Sequence, residues 1–388
     1  MTRIRIAVLA LGLTLASACA QQPQPPSITD HPAGYDRLAA SQAAANAQPG
    51  ARSVSGRVIP VPTAEVSPEL QKLIAAPYSP TFNIDPKTPA EWKDWVNSRA
   101  QASIGLLPAM KEKLGVTVES TTIAGVHAFI VTPSRIPPAN RHRLLVHVHG
   151  GGYVLGPGEA ALPEAIFMAG FGGFKVISVD YRMPPDFPYP AAMDDAMAVY
   201  KAALKMAPPR NIAIFGTSTG GAMTLVMVLR AKAEKLPLPG AIAPGTPWSD
   251  LAKIGDSYET NEWVDNVLVT WDGWLGRAAT LYANGHDMKD PQLSPIYGDF
   301  HGFPPTILTT GTRDLFLSNT VRTHRKLLRA GVLADLQVYE GMSHAQYDFD
   351  PSVPETKEAF TTIARFFDKH LGGAVPLRTQ PAKVERQP

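Results

Sequence analysis

A glycine-rich heptapeptide near the middle of the chain, residues 215–221 (FGTSTGG), limits the fold more strongly than any other stretch. It follows one apolar run and precedes another, so we predict a strand, a tight turn and a helix in that order. Gly216 and Gly220 lack the Cβ atoms that would clash where the strand meets the helix. The turn would then expose the hydroxyl of Ser218 above a sheet, as in a nucleophile elbow.

A second glycine-rich loop, residues 149–153 (HGGGY), directly follows an apolar segment that ends at Val148. Consecutive glycines allow the backbone to approach a bound group closely and to turn N–H groups toward it. We therefore predict that the N–H groups of Gly151 and Gly152, together with that of Thr219, form an oxyanion hole. The alternative is a glycine-rich turn without a function.

The chain from residue 116 onward alternates between strand-like and helix-like segments. This alternation predicts an α/β fold with a mainly parallel central sheet flanked by helices, in which the first strands add an antiparallel edge. The predicted strands are 116–122, 128–132, 143–149, 175–179, 211–215, 241–247, 306–310 and 335–339. The predicted helices are 163–169, 191–206, 221–233, 318–329 and 354–370.

Other regions flank or interrupt this alternation. Residues 63–115 carry a helical apolar pattern and are predicted to form a helical cap or simply to pad the domain. Residues 251–292 spread tryptophans through a polar stretch, which predicts a cap insertion within the catalytic domain, 116–371. The polar, proline-containing residues 372–388 are predicted to be a disordered tail.

The N-terminus has the pattern of an export signal. Arg3 and Arg5 precede an apolar run, 6–16, that is too short to span a bilayer, and small residues follow it. Residues 1–18 are therefore predicted to be a signal peptide. Residues 19–62, rich in Gln, Pro, Ala and Ser, are predicted to be a flexible linker.

Cys19 is the one cysteine of the chain, so no intramolecular disulfide can form. Residues 15–19 (LASAC) resemble a bacterial lipobox, although Ala16 stands where Leu is usual. One interpretation is a lipoprotein of the periplasm or outer membrane, attached to the membrane only through lipidated Cys19. The other is ordinary cleavage after Ala18 or Ala20, which gives a soluble periplasmic or secreted protein.

The charge balance argues against a nucleic-acid partner. The chain has 36 Lys and Arg residues against 34 Asp and Glu, a net charge of +2, and no long basic run. Histidines such as His127, His142 and His301 show no ligand spacing, so we expect no metal site. Acyl transfer by a serine nucleophile also needs no organic cofactor.

Several motifs in a fixed order resemble those of the hormone-sensitive-lipase-like (family IV) bacterial esterases, a branch of the α/β-hydrolase superfamily. The resemblance extends from roughly residue 67 to residue 371. The motifs are 149–152 (HGGG), 180–192 (DYRMPPDFPYPAA), the elbow, 290–295 (DPQLSP), 311–314 (GTRD) and 341–344 (GMSH).

In this family the catalytic acid follows a late strand, and the resemblance therefore points to Asp314. Asp250, at the end of the preceding predicted strand, and Glu340, just before the histidine turn, remain alternatives. We interpret Asp250 and Asp290 as turn or cap carboxylates.

The general base is predicted to be His344, which lies in a loop after a strand. His324 and His370 lie in predicted helices and are interpreted as solvated or helix-end residues. The order Ser218, Asp314, His344 is that of the hydrolase fold.

The resemblance implies a serine carboxylesterase for short- to medium-chain acyl esters, with a small-molecule ester as its partner. Dimers are common among similar proteins, so a homodimer is one option. A lactonase, carbohydrate deacetylase or amidase would use the same triad, and a non-catalytic binding lipoprotein with a hydrolase-like pocket is an alternative of another class. Thr217 and Thr219 stand where the family more often has Asp and Ala.

The two interpretations of Cys19 predict different mature N-termini. If Cys19 is lipidated, the mature protein starts at that residue, carries the added mass of the lipid and partitions into detergent. Cys19→Ser is then expected to abolish the partitioning. Mass spectrometry of the mature protein checks this, and an unmodified start at Gln21 would contradict the lipid anchor.

Overall fold

The computed structural model describes residues 54, 56 and 58–372. The predicted signal peptide, Cys19, most of the predicted linker and the tail beyond residue 372 lie outside the described residues. Eight strands are present in the described part, and each corresponds to a predicted strand within three residues at either end. They are β1 (Val116–Ile123), β2 (Val126–Pro133), β3 (Leu144–Val148), β4 (Lys175–Val179), β5 (Ile212–Thr217), β6 (Ala241–Gly245), β7 (Thr306–Gly311) and β8 (Ala334–Tyr339).

These strands form one sheet in the order β1-β2-β4-β3-β5-β6-β7-β8. β1 is antiparallel to β2, and β2 is antiparallel to β4. All pairings from β4 across to β8 are parallel. The predicted α/β-hydrolase fold class, with a mainly parallel sheet and an antiparallel edge, is therefore confirmed.

Helices lie on both faces of the sheet, as expected for parallel strands joined by crossovers. The five helices predicted in the alternating region are present, with small changes at their ends. No helix of the described residues has the length and apolar character needed to cross a membrane. The helices are α1 (Pro68–Ile74), α2 (Pro89–Leu114), α3 (Pro163–Gly172), α4 (Ala191–Met206), α5 (Thr219–Ala233), α6 (Ser257–Thr260), α7 (Trp274–Ala283), α8 (Leu317–Arg329) and α9 (Pro354–His370).

The first four residues of β5 show why this part of the strand is apolar. Ile212 and Ile214 pack into a core that includes α4, α5 and α8. Ala213 and Phe215 point to the opposite face, where they pack with α3 and α9. Because side chains alternate between faces and both faces are covered, residues 212–215 are all apolar.

The parallel strands also determine where the loops that carry the candidate catalytic residues meet. Their carboxyl ends lie at one edge of the sheet, which is the usual place for ligand sites in such folds. The glycine loop 149–153 follows β3 and Ser218 follows β5. Asp314 follows β7 and His344 follows β8, so residues far apart in sequence reach the same edge.

The contact between β3 and the elbow predicts a strong effect of Gly216→Ala. A Cβ atom at position 216 would lie 2.0 Å from Val148 O and 2.9 Å from the Gly220 carbonyl carbon. Neither backbone group can move freely, so we expect the free energy of unfolding to fall by about 3 kcal/mol or more. Urea denaturation of the purified protein measures this change.

Gly105→Ala is the matched control for this variant. Gly105 is exposed in α2, and a Cβ atom there meets nothing within 4 Å. Alanine favours a helix over glycine by roughly 1 kcal/mol, so this variant is expected to be slightly more stable than the wild type. Equal effects at the two glycines would contradict the steric explanation.

Candidate active site

Ser218 occupies a strained turn between β5 and α5. Its backbone has φ 64° and ψ −119°, a region that residues with a side chain rarely adopt and that costs roughly 1–3 kcal/mol. Two hydrogen bonds hold the turn: Ser218 N donates to Gly245 O (2.9 Å), and Trp248 N donates to Ser218 O (3.0 Å). The neighbouring loop after β6 thus keeps the serine in the predicted elbow.

The backbone of the glycine loop after β3 requires glycine at positions 151 and 152. Gly151 (φ 114°), Gly152 (φ 64°) and Tyr153 (φ 63°) all have positive φ. A Cβ atom would lie 2.4 Å from Leu155 O at Gly151, and 2.6 Å from the Trp274 ring at Gly152. Among the described residues the N–H groups of Gly151 and Gly152 donate to no backbone acceptor, so they remain available to a ligand.

His149 fixes the start of this loop. Its ring stacks on Tyr181 with centroids 4.1 Å apart, and Tyr181 OH donates to His149 O (2.7 Å). Burial lowers the pKa of His149 to about 4, so the ring is neutral at pH 7. A neutral ring can carry its proton on Nδ1 and donate to Gly150 O, which lies 2.7 Å away.

Asp314 and His344 form a buried hydrogen-bonded pair, with His344 Nδ1 2.9 Å from Asp314 Oδ1. The same oxygen accepts from Phe316 N (2.8 Å). Asp314 Oδ2 accepts from the hydroxyls of Thr310 (2.7 Å) and Thr246. With every position around the carboxylate occupied by a donor, its orientation toward the imidazole is fixed.

The alternative acids have other surroundings. Asp250 is buried, but it accepts from Tyr297 OH and Arg322 Nη1, both at 2.9 Å. Glu340 is exposed. His324, proposed as a helix residue without a catalytic role, lies in α8 with Nε2 3.1 Å from Ala334 O. Asp314 is thus the acid that is hydrogen-bonded to His344.

One cavity of about 320 Å³ brings the separate loops together. Ser218, His344 and both loop glycines line it, as do several apolar side chains. Ser218 Oγ and the His344 ring make no direct hydrogen bond in the structure, and such contacts commonly tighten when a substrate binds. The apolar lining includes Trp95, Leu155, Leu268, Trp274 and Phe349.

Both predicted cap regions contribute to this cavity. Trp95 belongs to α2 and Trp274 to α7 of the 251–292 stretch, and their rings are 5.4 Å apart. Trp274 also covers Gly152. The two regions therefore meet above the glycine loop.

A buried network behind the elbow was not predicted from the sequence. Glu164 of α3 accepts from Thr217 N (3.1 Å) and from Thr217 Oγ1 (2.8 Å). Tyr347 OH lies 2.7 Å from Thr217 Oγ1 and can donate to it. His147 Nε2 lies 3.0 Å from Glu164 Oε2. The sequence feature that could have indicated this network is Glu164, the single charged residue of the apolar segment 163–169.

The two threonines beside Ser218 have different environments. Thr217 lines the cavity and takes part in the Glu164 network. Thr219 is fully buried outside the cavity lining, and its hydroxyl has no partner among the described residues. Thr217 therefore has an identifiable structural role, whereas nothing in the structure explains the hydroxyl of Thr219.

A second Ser-His-Asp arrangement lies on the exposed hairpin. Ser120 Oγ is 2.9 Å from His127 Nε2, and His127 Nδ1 is 2.7 Å from Asp180 Oδ2. Ser120 lies within β1 and not in a strand-to-helix turn such as the one that holds Ser218. Asp180 Oδ1 accepts from Gly158 N (2.9 Å), so this group braces the loop that follows the oxyanion glycines.

The Glu164 network predicts the effect of Thr217→Val. This isosteric change leaves a buried carboxylate oxygen and a buried tyrosine hydroxyl without their shared partner, which costs about 1–3 kcal/mol. We expect a lower free energy of unfolding by urea denaturation and a lower kcat. Thr122→Val, at an exposed position of β1, is expected to change stability by less than about 0.5 kcal/mol; an equal loss in both variants would contradict the network's role.

Comparison with known proteins places this geometry in a family. Residues 145–348 match the model of the alpha/beta hydrolase fold. An acetyl-hydrolase from Streptomyces hygroscopicus is 30% identical over 243 residues, which are 62% of this chain and 81% of that protein. An esterase from Acinetobacter venetianus is 30% identical over 229 residues, which are 59% of this chain and 75% of that protein.

Solved structures agree with this match. The crystal structure of an esterase called E25 is 43% identical, has a TM-score of 0.80, and covers 83% of this chain and 99% of its own. That of an esterase from the bacterial hormone-sensitive lipase family is 28% identical, has a TM-score of 0.69, and covers 79% and 99%. The chain therefore belongs to the hormone-sensitive-lipase-like bacterial esterases of the α/β-hydrolase superfamily and is a carboxylic ester hydrolase.

Proposed function

We propose that the protein hydrolyses short- to medium-chain acyl esters through Ser218, Asp314 and His344, by way of an acyl-enzyme intermediate. The observation that carries this proposal is the shared cavity. Ser218, His344 and the glycines with available N–H groups all line it, and Asp314 is hydrogen-bonded to His344 from behind. A nucleophile, its base and its oxyanion donors are the parts that acyl transfer requires.

In the first half of the reaction His344 Nε2 takes the proton of Ser218 Oγ, which forms a bond to the ester carbonyl carbon. The N–H groups of Gly151, Gly152 and Thr219 bind the resulting oxyanion. His344 then returns the proton to the alkoxide leaving group as its bond to the carbonyl carbon breaks. In the second half His344 takes a proton from a water molecule, whose oxygen forms a bond to the acyl carbon. The bond between that carbon and Ser218 Oγ then breaks, the carboxylic acid leaves, and His344 returns the proton to Ser218 Oγ.

The surroundings of Ser218 favour the negative charge that develops on the carbonyl oxygen of the ester. Ser218 precedes the first residue of α5, so the positive end of the helix dipole faces the developing oxyanion. Each oxyanion donor typically contributes about a hundred- to a thousandfold in kcat. Asp314 stabilises the imidazolium of His344 that forms at the same time.

The size and lining of the cavity support short and medium acyl chains. A volume of about 320 Å³ is near the lower end of the range of roughly 300–1,000 Å³ for small-molecule pockets. Trp95 of residues 63–115 and Trp274 of residues 251–292 supply apolar walls, so in this proposal the two regions act as a cap. The name of the Streptomyces relative, an acetyl-hydrolase, is consistent with a short acyl group.

Lactone opening, carbohydrate deacetylation and amide cleavage use the same triad chemistry. A panel of acyl esters of increasing length, lactones, acetylated sugars and anilides distinguishes them. We expect the acyl esters to have the highest kcat/KM, because the apolar side chains of the lining, Trp95, Leu155, Leu268, Trp274 and Phe349, suit an acyl chain. A preference for any other class would replace the ester assignment.

Ser218→Ala is expected to lower kcat for p-nitrophenyl butyrate by at least about a thousandfold, because the nucleophile is lost. The fold should remain, since the hydroxyl of Ser218 makes no hydrogen bond on which the elbow depends. The matched control is Ser120→Ala in the exposed Ser-His-Asp group, which should change kcat less than about twofold.

Fluorophosphonate labelling gives an independent readout. The wild type and the Ser120→Ala variant should be labelled, and Ser218→Ala should not. A wild type that resists labelling would favour a non-catalytic binding protein. Loss of activity in Ser120→Ala alone would place the nucleophile on the hairpin.

A further inference from the structure

A further buried carboxylate lies beside the Asp314–His344 pair. Asp265 comes from the 251–292 stretch, between α6 and α7, and its side chain is fully buried. Its Oδ1 accepts from Val267 N (2.8 Å) and Leu268 N (3.0 Å). Its Oδ2 accepts from Leu315 N (2.8 Å) and His344 N (3.2 Å).

The four N–H groups belong to three functional segments. Leu315 follows the acid Asp314 directly, and the bond to position 344 reaches the base itself. Val267 and Leu268 line the cavity that contains Ser218. One carboxylate thus joins the acid loop, the base loop and a wall of the substrate cavity.

We propose that Asp265 is a positioning residue for the reaction, which holds the backbones of Leu315 and His344 at a fixed separation and ties both to the cavity wall. The inference rests on the proposed function, because it assigns roles to Asp314 and His344. A displacement of about 1 Å in a catalytic group can lower a rate by roughly a hundredfold, so small changes in this separation matter.

Neighbouring residues support the same segment. Asn261 Nδ2 donates to the carbonyl oxygens of Asp314 (2.8 Å) and Thr312 (3.1 Å). Asn266 N donates to Ser343 Oγ (3.3 Å), in the residue before the base. Residues 261–268 therefore contact both catalytic loops repeatedly, and Asp265 is the member that reaches both with one oxygen.

The electrostatics of Asp265 are unfavourable for stability. Burial raises its pKa from 3.8 to about 6, and the nearby charge of Asp314 raises it too, while His344 and the N–H bonds of Leu315 and Val267 lower it. Because the folded-state pKa is raised, the contribution of Asp265 to stability decreases as the pH rises from about 4 to about 6. A neutral residue would avoid this electrostatic cost, but only a carboxylate can accept all four N–H bonds with its two oxygens.

Asp265→Asn tests the proposal at constant side-chain volume. An amide NH₂ group would face two N–H donors, so one pair of hydrogen bonds is lost whichever way the amide is oriented. We expect kcat for p-nitrophenyl butyrate to fall by about ten- to a thousandfold while KM changes by less than about threefold. The matched control is Asp272→Asn, the same charge change at an exposed carboxylate of the same stretch, which should leave both constants unchanged.

The pH profile separates positioning from a purely structural role. The titratable groups that face Asp265 are Asp314 and His344. Asp265→Asn removes a negative charge near the imidazolium, so the acid limb of the kcat/KM profile should move to lower pH. Asp265→Glu keeps the charge but displaces the oxygens, so its kcat should fall while the limb stays in place.

Urea denaturation of each variant identifies the folded fraction, and kcat is expressed per folded molecule. If kcat per folded molecule and the acid limb of both variants equal those of the wild type, Asp265 has only a structural role and the proposal is overturned. If Asp265→Asn does not fold, the kcat of folded Asp265→Glu decides the question. Ser218→Ala is measured in parallel: activity there would refute the proposed function, whereas its loss beside an unaffected Asp265→Asn refutes the positioning role alone.

Discussion

The arrangement of the site depends on close backbone contact around the carbonyl oxygen of Val148. A Cβ atom at Gly216 or at Gly220 would lie 2.0 Å from that oxygen, and one at Gly150 would lie 2.7 Å from Thr217 O. Glycine on both sides of the contact lets the end of β3 pack directly against the elbow. The oxyanion loop, which starts one residue later, is thereby placed beside Ser218.

Buried carboxylates around the site accept hydrogen bonds from donors other than lysine and arginine. Glu164, Asp265 and Asp314 are all buried around the site, and none of them is paired with a lysine or arginine among the described residues. Backbone N–H groups, hydroxyls and imidazoles satisfy them instead. Such donors have fixed directions, so the carboxylates hold loops in place more accurately than a flexible ion pair would.

Local patterns explain which parts were predictable from the sequence. The glycine loop depends on positive φ angles at Gly151 and Gly152, and the elbow depends on backbone contacts at Gly216 and Gly220 that leave no room for a Cβ atom. The strands depend on continuous apolar runs, so all of these features leave a local signal. Asp265 does not, because in sequence it is indistinguishable from exposed Asp272 of the same stretch. Asp250 and Asp314 are equally buried, and only the long-range partners, Arg322 and His344, separate their roles.

The buried charges are also ordered along the direction of the reaction. In the proposed reaction, the start of α5 and the glycine N–H groups lie on the side of Ser218 where the oxyanion would develop, and Asp314 and Asp265 lie on the side of His344, where positive charge would develop. Both charges of the proposed transition state would therefore meet an oriented environment that does not need to reorganise. Holding carboxylates next to each other in a buried site lowers the stability of the folded protein, and the hydrogen bonds from three loops are what make that arrangement sustainable.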